Sequence, residues 1–463
     1  MKRVAVVGAG IAGLATAHAL ASEACVTLFE AGCYFGGHAH TVDVTIDGIA
    51  HGVDTGFLVF NPATYPSLVR LFDALGVATA AAEMSFSVQV ADSGLEWSGC
   101  NLNTLFAQRR NLASPRFLGM LAEILRFNRL ASGLARRSAD LAGAAGATEL
   151  AEPIGEFLAR HAFGAAFREW YFLPMIACIW SCPTAQMLRF PVVTMLRFCH
   201  NHGLLQATGR PQWRTVRGGA KHYVSKLLRQ IPDARLNSPL RSVRRLPPQA
   251  GGDNGSGGSG GVMVATEHGS ERFDEVVLAC HSTQSLALLA QALPAERALL
   301  SAIRYHANRA VLHTDSAVLP RRRRAWAAWN YPRAAATGRE PAGEPAAEST
   351  GVCLHYLINR LQPLPWPRPV LVSLNPDPAR APDPARVIGA YEYSHPVFDL
   401  AAIRAQQELP AIQGHGHVWY CGAWTRHGFH EDGLMSALDV AQRLRKRWRN
   451  EAAGRPHEAC HDA

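Results

Sequence analysis

Residues 3–20, RVAVVGAGIAGLATAHAL, decide the fold. The β-branched run at 3–7 reads as a buried strand, and the Ala-rich run at 11–20 carries apolar residues at helical spacing. Between them stand Gly8, Gly10 and Gly13, a strand–turn–helix GxGxxG. The three glycines do different things. Gly8 makes the tight turn, Gly10 lets a pyrophosphate approach the backbone, and Gly13 lets helix pack on strand. Ile11 and Ala12 open the helix, whose free N–H groups and dipole favour an anion at that end. Residues 25–29 read as a second strand ending at Glu30, where a carboxylate can accept hydrogen bonds from ribose hydroxyls. The expected class is α/β, beginning with a Rossmann-type dinucleotide-binding unit.

Working outward, Gly36-Gly37-His38 makes a second glycine turn shortly after Glu30. Far down the chain, Tyr420-Cys421-Gly422-Ala423-Trp424 reads as a strand ending in a glycine loop. The loop runs through Gly428 to Asp432, Gly433 and Leu434, where a helix begins, and Asp432 is a natural cap for it.

The two ends together resemble the FAD-binding proteins of the amine oxidase and phytoene desaturase superfamily. Within it the chain is similar to bacterial predicted NAD/FAD-binding proteins related to the flavin-oxidase region of plant cyclopropane fatty-acid synthases. GAGIAGLATAHAL, VDTGFLVFN, LEWSGCNLNTLF, NHGLL, RPQWRTVRGGAKHYV and GAWTRHGFHEDGLMSAL carry the resemblance, spanning residues 8–438. It implies FAD held at the glycine turns, with Val243 by the adenine, Ala279 near the pyrophosphate, and Thr55 and Gly56 near the isoalloxazine. It also implies that Gly422, Ala423, Asp432, Gly433 and Leu434 bring a helix N-terminus to the flavin pyrimidine, whose negative charge the dipole would stabilise.

The implied architecture is a discontinuous FAD-binding domain (1–60, 210–290 and 415–450) with an amine-oxidase-like substrate domain of mixed sheet and helix. The latter comprises a helical insert at 61–209 and a sheet-containing part at 291–414, and 451–463 is expected to be a flexible tail. Two departures matter. His38 stands where the family has an arginine, and no cysteine lies in the C-terminal loop, so FAD is expected to be non-covalent. The lysine that often holds a water near the flavin in amine oxidases has no counterpart.

Composition bounds the partners. Hydrophobic residues make up 48% and charged residues 18%, a globular balance. The net charge of +9 is almost entirely arginine, since Lys2, Lys221, Lys226 and Lys446 are the lysines. Such a surface favours anionic partners. No zinc-finger spacing or aromatic RNA-binding motif accompanies it, so nucleic acid is not expected. An anionic membrane surface is the better candidate, met by the basic run Arg443, Arg445, Lys446, Arg447 and Arg449 or by Arg321-Arg322-Arg323-Arg324. The 10 cysteines show no repeated spacing and suit reduced thiols. With no apolar run long enough to span a bilayer, a cytoplasmic protein is expected, at the inner membrane face when bound to lipid.

Within the insert, 65–75, 105–130 and 152–178 carry apolar residues at helical spacing. The aromatic residues Trp170, Tyr171, Phe172, Trp180, Phe190 and Phe198 either form its core or line an apolar tunnel. His430 and His202 are the candidate catalytic residues: His430 lies in the loop expected beside the flavin, with His427, and His202 follows His200 where a substrate headgroup could be met. A structural role is open for all four. Cys178 and Cys182 read as helix core rather than a redox pair, and His38, His40 and His51 lack the accompanying ligands of a metal site. The resemblance and the apolar insert point to oxidation or desaturation of a lipid-like, fatty-acyl substrate by hydride transfer to FAD. An amine oxidase and a non-redox isomerase or FAD-binding scaffold remain as alternatives.

Overall fold

The computed structural model describes residues 1–140, 152–180, 184–201, 203–205, 211–247, 260–333 and 352–453. The run at the start of the chain forms the strand Lys2–Val7, in which Val4, Ala5 and Val6 are fully buried. A strand covered on both faces must be apolar on both, which is why this run does not alternate. It sits at the centre of a five-stranded parallel sheet in the order Val418–Tyr420, Glu275–Leu278, Lys2–Val7, Ala24–Phe29, Asp233–Arg235. One sheet thus joins the beginning, middle and end of the chain. The helix Ile11–Leu20 packs against the last helix, His430–Ala452. A Cβ at Gly433 would lie 2.9 Å from Ile11 Cγ2, so the close approach requires glycine there.

The strands Leu240–Leu246 and Gly261–Thr266 pair antiparallel, and Gly269–Phe273 completes a three-stranded sheet. The Gly-Ser-rich connection between the first two lies outside the described residues. The second domain is built on a seven-stranded sheet in the order Val387–Val397, Arg304–His313, Leu371–Leu374, Leu354–Leu357, Trp329–Arg333, Phe86–Val90, Leu95–Ser98. The fold is therefore a Rossmann-type α/β domain joined to a mixed sheet-plus-helix domain.

The insert at 61–209 is less helical than its spacing suggests. Phe86–Val90 and Leu95–Ser98 belong to the seven-stranded sheet, the first pairing parallel with Trp329–Arg333. Phe86, Val88 and Val90, then Leu95 and Trp97, repeat every second residue, which is the signature of a strand. The helix expected at 105–130 begins only at Pro115 and runs to Asp140, because proline suits a first helical turn and the Ser114 hydroxyl accepts from Phe117 N–H at 3.3 Å. The stretch 152–178 is broken into Ile154–Arg160, Ala165–Phe167, a π-helical turn Arg168–Phe172, and Leu173–Trp180. Phe172, Trp180 and Phe190 are buried in its core, and the side chain of Phe198 lies outside the described part.

Three of the five basic residues at the end of the last helix are ion-paired. Arg447 is paired with Glu275 at 3.3 Å and Glu451 at 2.9 Å, Arg445 with Glu23 at 2.8 Å, and Arg443 with Asp439 at 2.9 Å. Trp448 packs against the core beside Leu444. Only Lys446 and Arg449 keep exposed side chains without an ion partner among the described residues. No helix among the described residues is long and apolar enough to cross a membrane.

Candidate cofactor and substrate site

One cavity of about 1730 Å³ runs from the glycine turns through the joint between the domains into the helical insert. Its floor at one end is backbone. Gly8 has φ 97°, a left-handed conformation glycine adopts without strain, and its carbonyl lies 1.7 Å from where a Cβ of Gly13 would be. A Cβ on Gly10 would meet nothing within 4 Å, so it would project into open space. Ile11, Ala12 and Ala279 line the same end. The second glycine turn packs directly on the first: Gly36 N–H donates to Ala9 O at 2.8 Å, and a Cβ on Gly37 (φ 57°) would come within 3.1 Å of Gly10 Cα. This is a cradle for a phosphate chain at a helix N-terminus.

Glu30 is held in place by its own backbone partners, accepting from Ala9 N–H at 2.7 Å and Gly32 N–H at 2.8 Å. A carboxylate has about four acceptor sites. Two remain for ribose hydroxyls. Beyond it Ser238, Pro239 and Leu240 line the cavity, whereas Val243 does not. Val243 is buried in the core, and its carbonyl accepts from Ala290 N–H at 3.0 Å.

At the joint between the domains, Gly56 lies over the His38 carbonyl, which a Cβ would approach to 2.3 Å. Thr55 does not itself line the cavity; its hydroxyl is 2.7 Å from Tyr393 Oη, fixing the strand behind the site. His38 lines the cavity half-buried, and its Nε2 has no hydrogen-bond partner among the described residues. Burial, with His395, His281 and His430 close by, holds its pKa well below 6.5, so the ring is neutral. The arginine-like charge is therefore absent from this position.

His430 stacks on Phe57 at 3.8 Å, and its Nε2 is 2.8 Å from Tyr223 Oη. Burial pushes its pKa down to about 3, which gives it no proton to donate as an imidazolium near neutral pH. Gly422, Ala423 and Phe429 line the cavity beside it. Asp432, Gly433 and Leu434 do not: the Asp432 carboxylate accepts from Phe429 N–H at 2.9 Å as a helix cap, with its pKa raised to about 6 by burial, and Leu434 is core. His202 and Cys182 lie outside the described residues. Among the described residues no group of His, Cys, Asp and Glu is arranged to hold a metal.

Several residues at the site carry no motif. Tyr391, Tyr393 and His395 alternate along Val387–Val397, and that period of two is the available signal. Asn308 donates to His395 Nδ1 at 2.7 Å while its own Oδ1 accepts from Asn375 at 2.7 Å, which leaves the His395 ring proton on Nε2. His281 stacks on Tyr305 at 4.3 Å and lines the cavity from a third segment. Glu431 accepts from Ser67 N–H at 2.8 Å and Leu68 N–H at 2.9 Å, so the last helix caps Pro66–Ala74.

The far half of the cavity is apolar, walled by Trp97, Leu121, Ile124, Tyr171, Met175 and Ile179. No lysine lines it among the described residues. Lys221 instead pairs with Asp43 at the surface, and Lys226 donates to Leu75 O at 2.8 Å.

The family model for an NAD(P)-binding Rossmann-like domain matches residues 6–75. No curated protein matches the chain by sequence. Among solved structures, putrescine oxidase bound to putrescine is 16% identical with a TM-score of 0.65, covering 96% of this chain and 99% of its own. A CLA-producing fatty acid isomerase from P. acnes is 16% identical with a TM-score of 0.65, at 96% and 98% coverage. Cyclohexylamine oxidase from Brevibacterium oxydans is 17% identical with a TM-score of 0.65, at 96% and 99%. The glycine cradle, the returning C-terminal strand and the full-length match give this chain the fold shared by these amine oxidases and the fatty acid isomerase.

Proposed function

We propose that the chain is an oxidoreductase that binds FAD without a covalent bond and oxidises a lipid-like, fatty-acyl substrate to an unsaturated product. The observation that carries this reading is the apolar chamber continuous with the glycine cradle. FAD, when bound, supplies a hydride acceptor at N5. The chain's residues do the rest. Gly8, Gly10 and Gly13 cradle the phosphates, Glu30 accepts from the ribose, and Leu240 covers the base. The chamber wall excludes water and aligns an alkyl chain by dispersion and burial, worth about 0.8 kcal/mol per CH₂. Desaturation would pass a hydride from one carbon to the flavin and a proton from its neighbour to a base, for which the neutral imidazoles of His38, His281 and His430 line the cavity.

An ammonium substrate fits less well. Of the carboxylates that line the cavity, Glu83 is paired with Arg360 at 2.6 Å and Glu30 belongs to the nucleotide end. The similarity to a fatty acid isomerase favours a second reading on the same substrate class, movement of a double bond without net oxidation. Anaerobic titration distinguishes them. Bleaching of the flavin by detergent-dispersed fatty-acyl lipid is expected; bleaching by putrescine instead would replace this reading with amine oxidation. A shifted double bond with the flavin still oxidised at the end would make the protein an isomerase.

A further inference from the structure

The basic tail is partly ion-paired, through Arg443, Arg445 and Arg447, and another surface gathers arginine and exposed leucine at the cavity itself. Leu102, Leu112, Leu118 and Leu125 are 76%, 54%, 43% and 56% exposed, and Leu102 and Leu125 also line the cavity. They come from consecutive pieces of chain: the short helix Leu102–Leu105, the 3₁₀ turn Arg109–Ala113 and the long helix Pro115–Asp140. On that long helix Leu118, Ala122, Leu125 and Arg129 follow helical spacing along one exposed face, while Leu121, Ile124 and Asn128 look into the cavity. Between residues 101 and 136 the only acid is Glu123, against Arg109, Arg110, Arg116, Arg126, Arg129 and Arg136.

A second, independent segment adds charge at the same place. The turn Arg323–Ala325 packs against Leu102–Leu105, which brings the exposed run Arg321-Arg322-Arg323-Arg324 beside the leucines. Arg322 pairs with Glu96 at 3.5 Å, whereas the side chains of Arg321, Arg324 and Arg129 have no ion partner among the described residues. Separate leucines ringed by unpaired arginines are what an anionic bilayer recognises: apolar side chains enter the acyl boundary while guanidinium groups remain at the phosphates. A protein partner would instead need a contiguous, closely packed patch.

We propose that this rim, formed by 102–125 and 321–324, docks on an anionic lipid leaflet and turns the apolar end of the cavity toward it. The substrate then passes from bilayer to chamber without crossing water. This rests on the fatty-acyl reading above, and its test is independent of turnover.

The experiment is sedimentation of the flavin-loaded protein with phosphatidylglycerol vesicles and, separately, phosphatidylcholine vesicles. Binding to the former at low salt, fading as salt rises, is expected. Each basic residue near an anionic surface is worth about fivefold in affinity, so Arg321→Gln, Arg323→Gln and Arg324→Gln together should weaken binding about a hundredfold. Leu112→Ser with Leu118→Ser should weaken it further, with flavin content unchanged as the check on folding. The tail variant Arg443→Gln, Lys446→Gln, Arg449→Gln should bind as wild type does. Wild type that ignores phosphatidylglycerol at low salt overturns the proposal, as does release by the tail variant but not by the rim variant. A wild-type dimer in gel filtration that the leucine variant converts to monomer also overturns it, assigning the rim to a second copy. Flavin bleaching by detergent-dispersed lipid together with no vesicle binding would remove the docking surface and leave the substrate reading standing.

Discussion

The two ends of the cavity are made of different material. At the nucleotide end the chain presents backbone: glycine turns, a helix N-terminus, and one carboxylate held by two N–H groups. At the other end it presents side chains from the seven-stranded sheet and the insert, with leucine, isoleucine, methionine and aromatic rings in contact. Backbone recognition demands particular residues at fixed spacing, because only glycine leaves room. Side-chain recognition by burial accepts many sequences of similar volume. The first end is therefore rigidly specified and the second adaptable.

The largest effect that would test this contrast comes from two neighbouring glycines. Gly13→Ala puts a methyl 1.7 Å from the Gly8 carbonyl, and expression should give no folded protein, measured by circular dichroism and solubility. Gly10→Val has open space to occupy, so it should fold with a wild-type melting temperature yet copurify without flavin. Equal behaviour of the two would mean that the Gly10 side of the turn is packing rather than cradle.

Acid should act next. Burial pushes His281, His313 and His395 down to about 4, and His355 and His430 to about 3, from 6.5. As pH falls below about 6.5 the unfolded chain takes up these protons and the native one does not, so stability is present above that pH and lost on the way to 4. Each histidine contributes about 1.4 kcal/mol per pH unit across that window. Denaturant midpoints at pH 7.5, 6.0 and 5.0 should fall progressively; a flat profile would mean that these rings are hydrated in the native state. Glu30 gives the smallest effect. Glu30→Ala should weaken FAD by about 1.5–3 kcal/mol in a flavin titration, and Glu30→Gln by less because one acceptor survives.

The same contrast explains what can be read from the sequence. The strand–turn–helix at 3–20, the Glu30 acceptor and the returning strand before Gly422 are legible because each rests on residues that few alternatives can replace. The sheet strands Phe86–Val90 and Leu95–Ser98 carry a period-two alternation, but it is short and set between stretches of helical spacing that outweigh it. Leu240 and Val243 share one short strand, in which Leu240 lines the cavity and Val243 is buried, a difference that sequence alone does not give. Asp432, Gly433 and Leu434 follow a glycine loop, and their side chains serve as cap and core, which the loop sequence alone does not tell. Tyr393, His395, Asn308 and Glu431 act through partners far away in sequence, and distant pairing leaves no local pattern.

The placing of Val418–Tyr420 in one sheet with Lys2–Val7 also governs the order of events on the ribosome. At about 5–20 residues per second, roughly 20–80 s separate synthesis of the first strand from that of the last. Until then the outer edge of Glu275–Leu278 lacks the strand that pairs with it, and the helix Ile11–Leu20 has the sheet and Lys221–Leu228 against it but not His430–Ala452. Helix Pro66–Ala74 likewise waits for Glu431 to cap it. The nascent chain therefore holds an open edge and an incomplete pocket until Val418–Tyr420 and the loop after it emerge, so flavin capture follows their synthesis.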